Sequence, residues 1–283
     1  MGRRTRRKTR GGAAPKPRAL CQCVDPATGK GCTREAGKDS LYCEQHPNCP
    51  LAPVNGYEPK YDTQKWNSDP AVYRSMNCYA YFADAIDNKL VIECRKRGHK
   101  NCRQYFPQPG ALNGERNALN AVERRHCPVV ANLMMKDIPT IRPSSFHQRC
   151  PPGTSKGALV SHKGEDYHFY RQNPDGYWSH KDGSNQIKDF DALKRKIANP
   201  ELAARDYRWQ GSDLNYADFC GFYCVPRNQR VVLGQGGALK RGVSRSSRSR
   251  SRREVPHSSR TRRSLPRLAS RSHRSSKTRR LRH

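Results

Sequence analysis

Apolar side chains recur at helical spacing from Cys78 onward. They fall at i, i+3, i+4, i+7 and i+8, and so occupy one face of a helix. These residues are Cys78, Tyr81, Phe82, Ala85 and Ile86. Asn77 stands directly before them and belongs to the residue types that cap helix N-termini. The pattern predicts a helix from Asn77 to about Arg95, with Cys78 in its first turn.

The remainder of residues 57–227 indicates one more helix followed by strands. A second helix is predicted from Asn113 to His126, because Pro128 stops a helix that reaches it. A short helix is predicted near Phe190–Ile197. The predicted strands cover Gly157–His162, Asp166–Gln172, Tyr177–Lys181 and Asp218–Val225. Helices first and antiparallel strands afterwards predict an α+β fold.

One predicted hairpin has a register that the sequence defines. Its turn reads Asn-Pro-Asp-Gly over residues 173–176, which is typical of a three-residue loop with a bulge. That loop brings His180 opposite Tyr170 and Asp182 opposite His168. Even-numbered residues then share one face, namely His168, Tyr170, Trp178, His180 and Asp182. A two- or four-residue loop would shift the parity and separate them.

Charge divides the chain into regions. The 283 residues carry a formal net charge of +31, but residues 1–18 hold eight Lys/Arg and no acid, and residues 240–283 hold seventeen against the single acid Glu254. We therefore expect a basic arm at 1–18, a cysteine-rich module at 19–50, a globular domain at 57–227 and a disordered Arg/Ser-rich tail at 234–283. The tail lacks the apolar surface that would offset the entropy of ordering it.

The basic ends predict a polyanionic partner, nucleic acid above all, with DNA preferred and RNA left open. Each Lys or Arg that neutralises a phosphate releases counterions, so affinity grows with charge. The ends resemble protamine-like DNA-condensing tails and the Arg-Ser segments of RNA-processing proteins. They contain no aromatic residue, which disfavours base stacking. A nuclear localisation signal and a solubilising tail are the simpler alternatives.

The expected location is inside a cell or in a particle assembled there. No stretch approaches the roughly 20 apolar residues that span a bilayer, and the basic N-terminus lacks the apolar core of a secretory signal. We therefore expect a virion, host nucleus or cytoplasmic viral factory, and neither secretion nor a membrane partner. In such a setting the twelve cysteines are expected to be metal ligands or nucleophiles more often than disulfides.

A cluster of cysteines in residues 21–49 predicts a structural zinc site. Cys43 and His46 supply two tetrahedral ligands, Cys32 a third, and Cys23 or Cys21 the fourth, with Cys23 preferred. So short and polar a segment needs such a staple to fold. The sequence motifs at residues 29–32 (Gly-Lys-Gly-Cys) and 42–46 (Tyr-Cys-Glu-Gln-His) resemble a zinc module found in proteins of large DNA viruses. Scattered free thiols or disulfides are the alternative.

Cys78 is the candidate nucleophile. A helix N-terminus favours negative charge and is expected to lower the pKa of a thiol there. His168 is the candidate base, and His180 or Asp182 the group that orients it. The alternatives are a buried helix thiol beside Tyr81 and Phe82, and hairpin histidines bonded to the backbone.

The order of these residues resembles NlpC-like, papain-fold cysteine peptidases and amidases. There a helix-borne cysteine precedes a strand histidine and a further polar residue. Four sequence motifs also resemble those of a little-characterised group of proteins from bacteria and large DNA viruses: Asn77–Tyr81, Gln108–Gly110, Asp166–Arg171 and Trp178–Lys181. The resemblance covers residues 75–226 and implies a papain-like domain in which Cys78 attacks an amide or thioester carbonyl, with its backbone N–H in the oxyanion hole.

The combination of a zinc module, a papain-like domain and a protamine-like tail suggests a virion protein that carries a cysteine amidase or peptidase on nucleic acid. A DNA-condensing or capsid-internal structural protein, with other virion proteins as partners, and an RNA-associated Arg-Ser protein are the alternatives. No nucleotide-binding loop is present, and the substrate is not named by the sequence.

Overall fold

A computed structural model describes residues 14–115, 117–227 and 233–234. These residues all belong to one compact unit, so the cysteine-rich module and the globular domain are in contact. Most of the basic arm, and the Arg/Ser-rich tail from residue 235 onward, lie outside the described residues. The predictions of disorder and of nucleic-acid binding for those ends remain predictions.

Five α-helices occur in the described part of the chain, and all are short. They are α1 (Thr63–Asn67), α2 (Pro70–Ser75), α3 (Cys78–Phe82), α4 (Asn88–Lys96) and α5 (Cys127–Asp137). The single helix predicted from Asn77 to Arg95 is therefore wrong, although Asn77 does cap α3 by accepting a hydrogen bond from the Ala80 N–H. The chain breaks at Asp84, whose φ of 51° is left-handed. It restarts at the Asp87 N-cap.

The helix predicted over Asn113–His126 is also wrong. Residues 111–114 and 117–120 form turns, and from there to α5 the described residues contain only a 3-10 turn at Val122–Arg124. The helix instead begins at Cys127, with Pro128 in its first turn. Proline is favoured there because its missing N–H has no partner within the helix in any case. Pro128 therefore marks the start of a helix and not its end.

In the ranges that the structure describes, six strands form one antiparallel sheet, as the α+β prediction requires. They are β1 (Arg142–Ser144), β2 (Thr154–His162), β3 (Asp166–Gln172), β4 (Trp178–Lys181), β5 (Ile187–Lys188) and β6 (Asp218–Pro226), in the spatial order β1-β6-β2-β3-β4-β5. The short helix predicted near Phe190–Ile197 is wrong. The Asp191 side chain instead accepts hydrogen bonds from the backbone of Leu193 and Arg195, and Lys194 has a left-handed φ of 66°.

The register predicted for the β3–β4 hairpin is confirmed. Tyr170 pairs with His180, and the Asn173 N–H donates to the Tyr177 carbonyl across the turn. The strand pairing ends at Tyr170 and His180. Beyond that point the two segments continue to His168 and Asp182 without backbone pairing. The gap between them leaves room for a cavity.

The two faces of the sheet bury two cores. On one face Leu159 and Phe169 pack against the helices, and on the other Val160, Tyr170 and Trp178 pack against the segment that leads to β6. Helix α3 lies against the sheet at Gly157. A Cβ atom there would stand 2.8 Å from Phe82 Cδ2, which is closer than van der Waals contact. Glycine at 157 therefore fixes how deeply the Cys78 helix sits.

Eight of the twelve cysteines are paired, which corrects the interpretation of these residues as ligands or nucleophiles. The pairs are Cys23–Cys49, Cys94–Cys102, Cys127–Cys220 and Cys150–Cys224. Cysteine pairing depends on which strands meet in space, and sequence spacing alone does not reveal it. Within the described ranges, no helix is long and apolar enough to cross a bilayer.

Candidate functional site

Cys78 lies on the wall of a cavity of about 460 Å³. Cys78 is only 6% exposed. The other three cysteines that form no disulfide lie in the N-terminal module. The preceding residue fixes its position: the Asn77 side chain caps α3 and also donates a 2.8 Å hydrogen bond to the Pro107 carbonyl. The 107–108 segment is thereby tied to the residue before the thiol.

The thiol is neutral at rest, contrary to the prediction of a lowered pKa. Burial, with a smaller effect of the Asp166 carboxylate, raises the pKa of Cys78 to about 12. A hydrogen bond from the Phe169 backbone opposes this but does not prevail. Helix α3 has five residues, so its dipole is too small to outweigh desolvation.

His168, His180 and Asp182 form a buried hydrogen-bonded cluster. His168 Nε2 lies 2.9 Å from His180 Nδ1, and His180 Nε2 lies 3.0 Å from the Phe190 carbonyl oxygen. The Asp182 Oδ1 atom is 3.0 Å from His180 Nδ1 and 3.7 Å from His168 Nε2. Both histidines are almost wholly buried, and Lys188 pairs with the outer carboxylate oxygen. The predicted partners of His168 are therefore in place.

Desolvation dominates the electrostatics of this cluster. Burial, together with the nearby His180, lowers the pKa of His168 to about 3. Burial alone would raise the pKa of Asp182, but His180, His168 and Lys188 hold it well below the usual value. At neutral pH the cavity therefore contains a neutral imidazole at His168 beside an ionised carboxylate.

His180 holds the cluster together. Its Nε2 atom carries a hydrogen, because the Phe190 carbonyl can only accept. Its Nδ1 atom can then accept a hydrogen bond from His168. The Asp182 carboxylate is placed to offset a positive charge that develops on His168.

Cys78 and His168 approach the cavity from opposite sides of the sheet. Cys78 belongs to the core on the helix side, whereas the His168 ring contacts Tyr170 and Tyr216 on the other face. Both residues line the same cavity beyond the last β3–β4 pair. No direct hydrogen bond joins the thiol to either imidazole among the described residues, so proton transfer between them requires a bridging water or a movement that brings the two groups together.

The cavity is also lined by residues for which the sequence analysis predicted no individual role. Asp166 accepts a 2.8 Å hydrogen bond from the Tyr216 hydroxyl, and burial raises the pKa of its carboxyl group. Gln108 lines the cavity and accepts a hydrogen bond from the Tyr167 hydroxyl. Gln108 belongs to a sequence motif, Gln108–Gly110, that was used only for the family resemblance. Asp166 lies on the same strand face as His168. These were the sequence features that could have indicated the two residues.

Cys21, Cys32, Cys43 and His46 form a cluster able to bind a metal. Their ligand atoms all lie within 4.8 Å of one another. The Cys32–Cys43 sulfur distance is 3.8 Å, and His46 Nδ1 lies 3.3 Å from Cys43 Sγ and 3.8 Å from Cys21 Sγ. Ligands in a tetrahedron with metal–sulfur bonds of about 2.3 Å stand about 3.8 Å apart, so the spacing matches such a site.

The fourth member of this cluster is Cys21, which corrects the choice of Cys23. Cys23 is bonded to Cys49 and has no thiol to offer. A bridge between Val24 and Gly31 makes residues 21–32 a narrow loop, and the Cys32 N–H donates to the Cys23 carbonyl. Cys21 keeps a free thiol and is the cysteine whose sulfur lies with those of Cys32 and Cys43.

The module is fixed to the domain by buried polar contacts. The Gln22 side chain accepts hydrogen bonds from the N–H groups of Ala198 and Asn199 and donates to the Lys196 carbonyl. Arg195 donates to the Leu20 carbonyl. The Cys/His cluster therefore belongs to an element that packs against the segment following β5.

The fold and its sites define an α+β protein with a thiol and a His–His–Asp cluster on one cavity, and a separate Cys/His cluster of metal-site geometry. No protein-family model and no solved structure matches the chain. Among curated proteins it is similar to the insoluble matrix shell protein 1 of Ruditapes philippinarum. The two are 29% identical over 172 residues, which are 61% of this chain and 93% of that protein.

Proposed function

We propose that this protein is a cysteine amidase or peptidase of the NlpC-like, papain-fold kind. The observation that supports this most is the convergence of Cys78, His168 and Asp182 on one cavity, with His180 bonded to both of the latter. A nucleophile, a base and a charged orienting group on one cavity is the arrangement that nucleophilic catalysis needs.

The proposed reaction begins with the neutral thiol. The Cys78 sulfur attacks the substrate carbonyl carbon while its proton passes to His168, and the carbonyl electron pair moves to oxygen. Collapse of the tetrahedral species expels the amine, which takes the proton from His168, and leaves a thioester on Cys78. Water, deprotonated by His168, then attacks the thioester carbonyl; the C–S bond breaks, the carboxylic acid product leaves, and the Cys78 sulfur takes the proton back from His168. Asp182 offsets the charge on His168 in both halves of the reaction.

The test is selective labelling of Cys78 in the whole protein. Because the thiol is buried, the probe must be small, and radiolabelled iodoacetamide meets that need. We expect Cys78 to react, and His168→Gln to slow the reaction at least tenfold, because the neutral thiol depends on a base. The unpaired module cysteines are the internal comparison. Equal labelling of Cys78 with and without His168 would contradict the proposal.

A structural zinc ion in the N-terminal module is the second part of the proposal. Three thiols that stay unpaired among four disulfides, at tetrahedral spacing with an imidazole, favour Zn²⁺ over oxidation to a fifth disulfide. Metal analysis of the intact protein should return about one equivalent. Cys43→Ser should lose it. The double variant Cys23→Ser/Cys49→Ser should keep it, because those sulfurs are not ligands.

We further propose an oxidising location, either outside the cell or in a particle such as a virion, in place of a nucleus. Four disulfides favour such an environment. The similarity to a shell matrix protein favours secretion. Mass spectrometry of the protein from its source, alkylated before reduction, should find the eight cysteines paired; free thiols at those positions would contradict this location.

The basic ends are proposed to bind nucleic acid in that location. Residues 240–283 hold seventeen Lys/Arg, enough for strong salt-dependent binding. Titrations of the full chain with duplex DNA and with RNA should give steep salt dependence and a preference for the duplex. Equal binding to an acidic polysaccharide of the same charge density would indicate a general polyanion partner instead.

A non-catalytic matrix protein is the second candidate function, favoured by the similarity to the shell matrix protein. In that case the cavity would have no chemistry, and Cys78 would be one more buried thiol. The labelling experiment separates the two candidates, because only an enzyme requires that the reactivity of Cys78 depend on His168.

A further inference from the structure

We propose that the N-terminal module positions His180 and, through it, the base His168, and that Gln22 is the residue that connects the module to them. This inference rests on the proposed amidase or peptidase reaction and adds a positioning residue to it, because Gln22 lies outside the cavity. Gln22 stands directly after Cys21, a member of the Cys/His cluster, and directly before Cys23, which is disulfide-bonded. A metal bound by that cluster would hold one neighbour of Gln22, and the disulfide holds the other.

The Gln22 side chain makes three hydrogen bonds to one segment of the domain backbone. Its Oε1 atom accepts from the N–H groups of Ala198 at 2.7 Å and Asn199 at 3.0 Å, and its Nε2 atom donates to the Lys196 carbonyl at 3.1 Å. Gln22 is only 1% exposed. A buried backbone group that loses its partner costs more free energy than the hydrogen bond contributes net, so this segment, residues 196–199, depends on Gln22 for its position.

The same segment pairs with backbone on both sides of His180. Ile197 pairs with Trp178 of β4, two positions before His180, and its carbonyl accepts a 2.9 Å hydrogen bond from the Trp178 N–H. Lys196 pairs with Phe190. The Phe190 carbonyl accepts the 3.0 Å hydrogen bond from His180 Nε2. A shift of the segment would therefore shift the carbonyl that holds the His180 ring.

The orientation of His180 decides how His168 is held. With the Nε2 hydrogen of His180 bonded to Phe190, its Nδ1 atom is an acceptor and lies 2.9 Å from His168 Nε2. If His180 rotated or changed tautomer, His168 would lose this partner. A base must be in position before it can take a proton, so loss of the Gln22 side chain is expected to weaken the assistance that His168 gives to Cys78.

Other contacts keep the module on the domain when the Gln22 amide is removed. Val24 packs into the core that contains Tyr170 and Trp178, and Arg195 donates to the Leu20 carbonyl. Gln22→Ala is therefore expected to fold with the module still docked, and urea unfolding checks this. A change in rate then reports on the segment and not on unfolding.

The experiment is a double-mutant cycle on Cys78 in the intact protein. Alkylation by radiolabelled iodoacetamide is counted in the tryptic peptide 75–89, which contains no other cysteine. We expect Gln22→Ala to slow it by roughly fivefold, the effect of about one lost hydrogen bond. In the His168→Gln background the same change should slow it by less than about 1.5-fold, because both substitutions act on the same base. Gln45→Ala, at an exposed glutamine of the module, is the matched control and should change neither rate.

Further measurements separate positioning from support of the fold. Release of p-nitrophenolate from p-nitrophenyl acetate measures thioester formation on Cys78, and Gln22→Ala should lower its kcat with KM unchanged, because Gln22 does not line the cavity. The imidazole ¹⁵N shifts of His180 should show the hydrogen on Nε2 in wild type and a mixture of tautomers in Gln22→Ala. Cys43→Ser, which is expected to lose the metal, should slow alkylation of Cys78 as Gln22→Ala does.

Three results would overturn the inference. An unchanged alkylation rate in Gln22→Ala, while His168→Gln is slow, would show that the positioning role is wrong and leave the proposed enzyme standing. Equal slowing by Gln22→Ala with and without His168 would show that Gln22 supports only the fold. A metal-free Cys43→Ser protein that reacts at the wild-type rate would show that the cluster does not act on the cavity. If the reactivity of Cys78 does not depend on His168 at all, the proposed enzyme itself fails, and the role of Gln22 with it.

Discussion

Replacing Asp182 by asparagine removes one charge from the His168–His180–Asp182 cluster and keeps its shape. The carboxylate is proposed to offset the positive charge that His168 acquires when it takes the Cys78 proton. Asparagine is of nearly the same size and can still contact His180. We therefore expect kcat for p-nitrophenyl acetate to fall while the fold is retained.

The size of the effect follows from the distance between the charges. Asp182 Oδ1 lies 3.7 Å from His168 Nε2, and at that separation an effective dielectric constant of 20 gives an attraction of about 4 kcal/mol. The Asp182 side chain is 26% exposed and is paired with Lys188, and both reduce its field at His168. A loss of roughly 2–3 kcal/mol remains, which corresponds to roughly 30- to 150-fold in rate.

The assay measures ester hydrolysis at pH 7, with unfolding by urea as the check on folding. Asp189→Asn is the matched control, because its carboxylate forms only a surface ion pair with Lys196 at 4.0 Å. A rate for Asp182→Asn within threefold of wild type, alongside a Cys78→Ala protein that is inactive, would refute the electrostatic role of Asp182.

Three further predictions concern titration and the disulfides. Because burial raises the pKa of Cys78 to about 12, alkylation of the His168→Gln variant, which depends on the small thiolate fraction alone, should keep rising with pH between 6 and 10; a plateau of the iodoacetamide rate in that variant would contradict a neutral thiol. The pKa of His168 is lowered to about 3 by burial, so the unfolded state, titrating near pH 6.5, binds more protons between these values, and stability is lost as the pH falls through that window. Urea unfolding at pH 7 and pH 4.5 should show that loss in wild type and a smaller one in His168→Gln. Cys150→Ser/Cys224→Ser opens a link across 74 residues and should lower the free energy of unfolding by roughly 2–5 kcal/mol; a change under 1 kcal/mol by urea unfolding would contradict a bond at that position.

The sequence predicted the hairpin and its site residues because their information is local. A Pro-Asp-Gly turn fixes the loop length, and period-two alternation then fixes which side chains share a face. His168, His180 and Asp182 therefore met as predicted, and strand β3 has the predicted bounds. The α+β fold class was predicted for the same reason, because the strands have a clear pattern of apolar and polar positions.

The remaining features depend on contacts that no local pattern records. A proline can stand either in the first turn of a helix or just after its end. Which of the two applies to Pro128 depends on the disulfide and the packing that hold Cys127. Disulfide partners lie up to 93 residues apart in sequence. The pKa of Cys78 depends on burial by β3 and the neighbouring aromatic residues, which outweighs the helix end that the sequence does reveal.

The position of Cys78 depends on a residue that has no side chain, and this supplies a last prediction. Gly157 of β2 lies under Phe82, four residues from Cys78 on α3, and a Cβ atom would come within 3.2 Å of Val225 as well as too close to the Phe82 ring. Gly157→Ala should therefore displace α3 from the sheet, with a loss of roughly 1–3 kcal/mol in stability.

The same displacement should change the reactivity of Cys78, because the thiol moves with the helix. The double variant Gly157→Ala/Phe82→Leu provides room for the methyl group, so it should regain part of both the stability and the alkylation rate, and the two substitutions should be strongly non-additive. Gly37→Ala, where a Cβ has only ordinary contacts, is the control. If Gly157→Ala is destabilised but its alkylation rate matches wild type, the sheet does not set the position of the nucleophile, and Asn77 with its bond to Pro107 alone must do so.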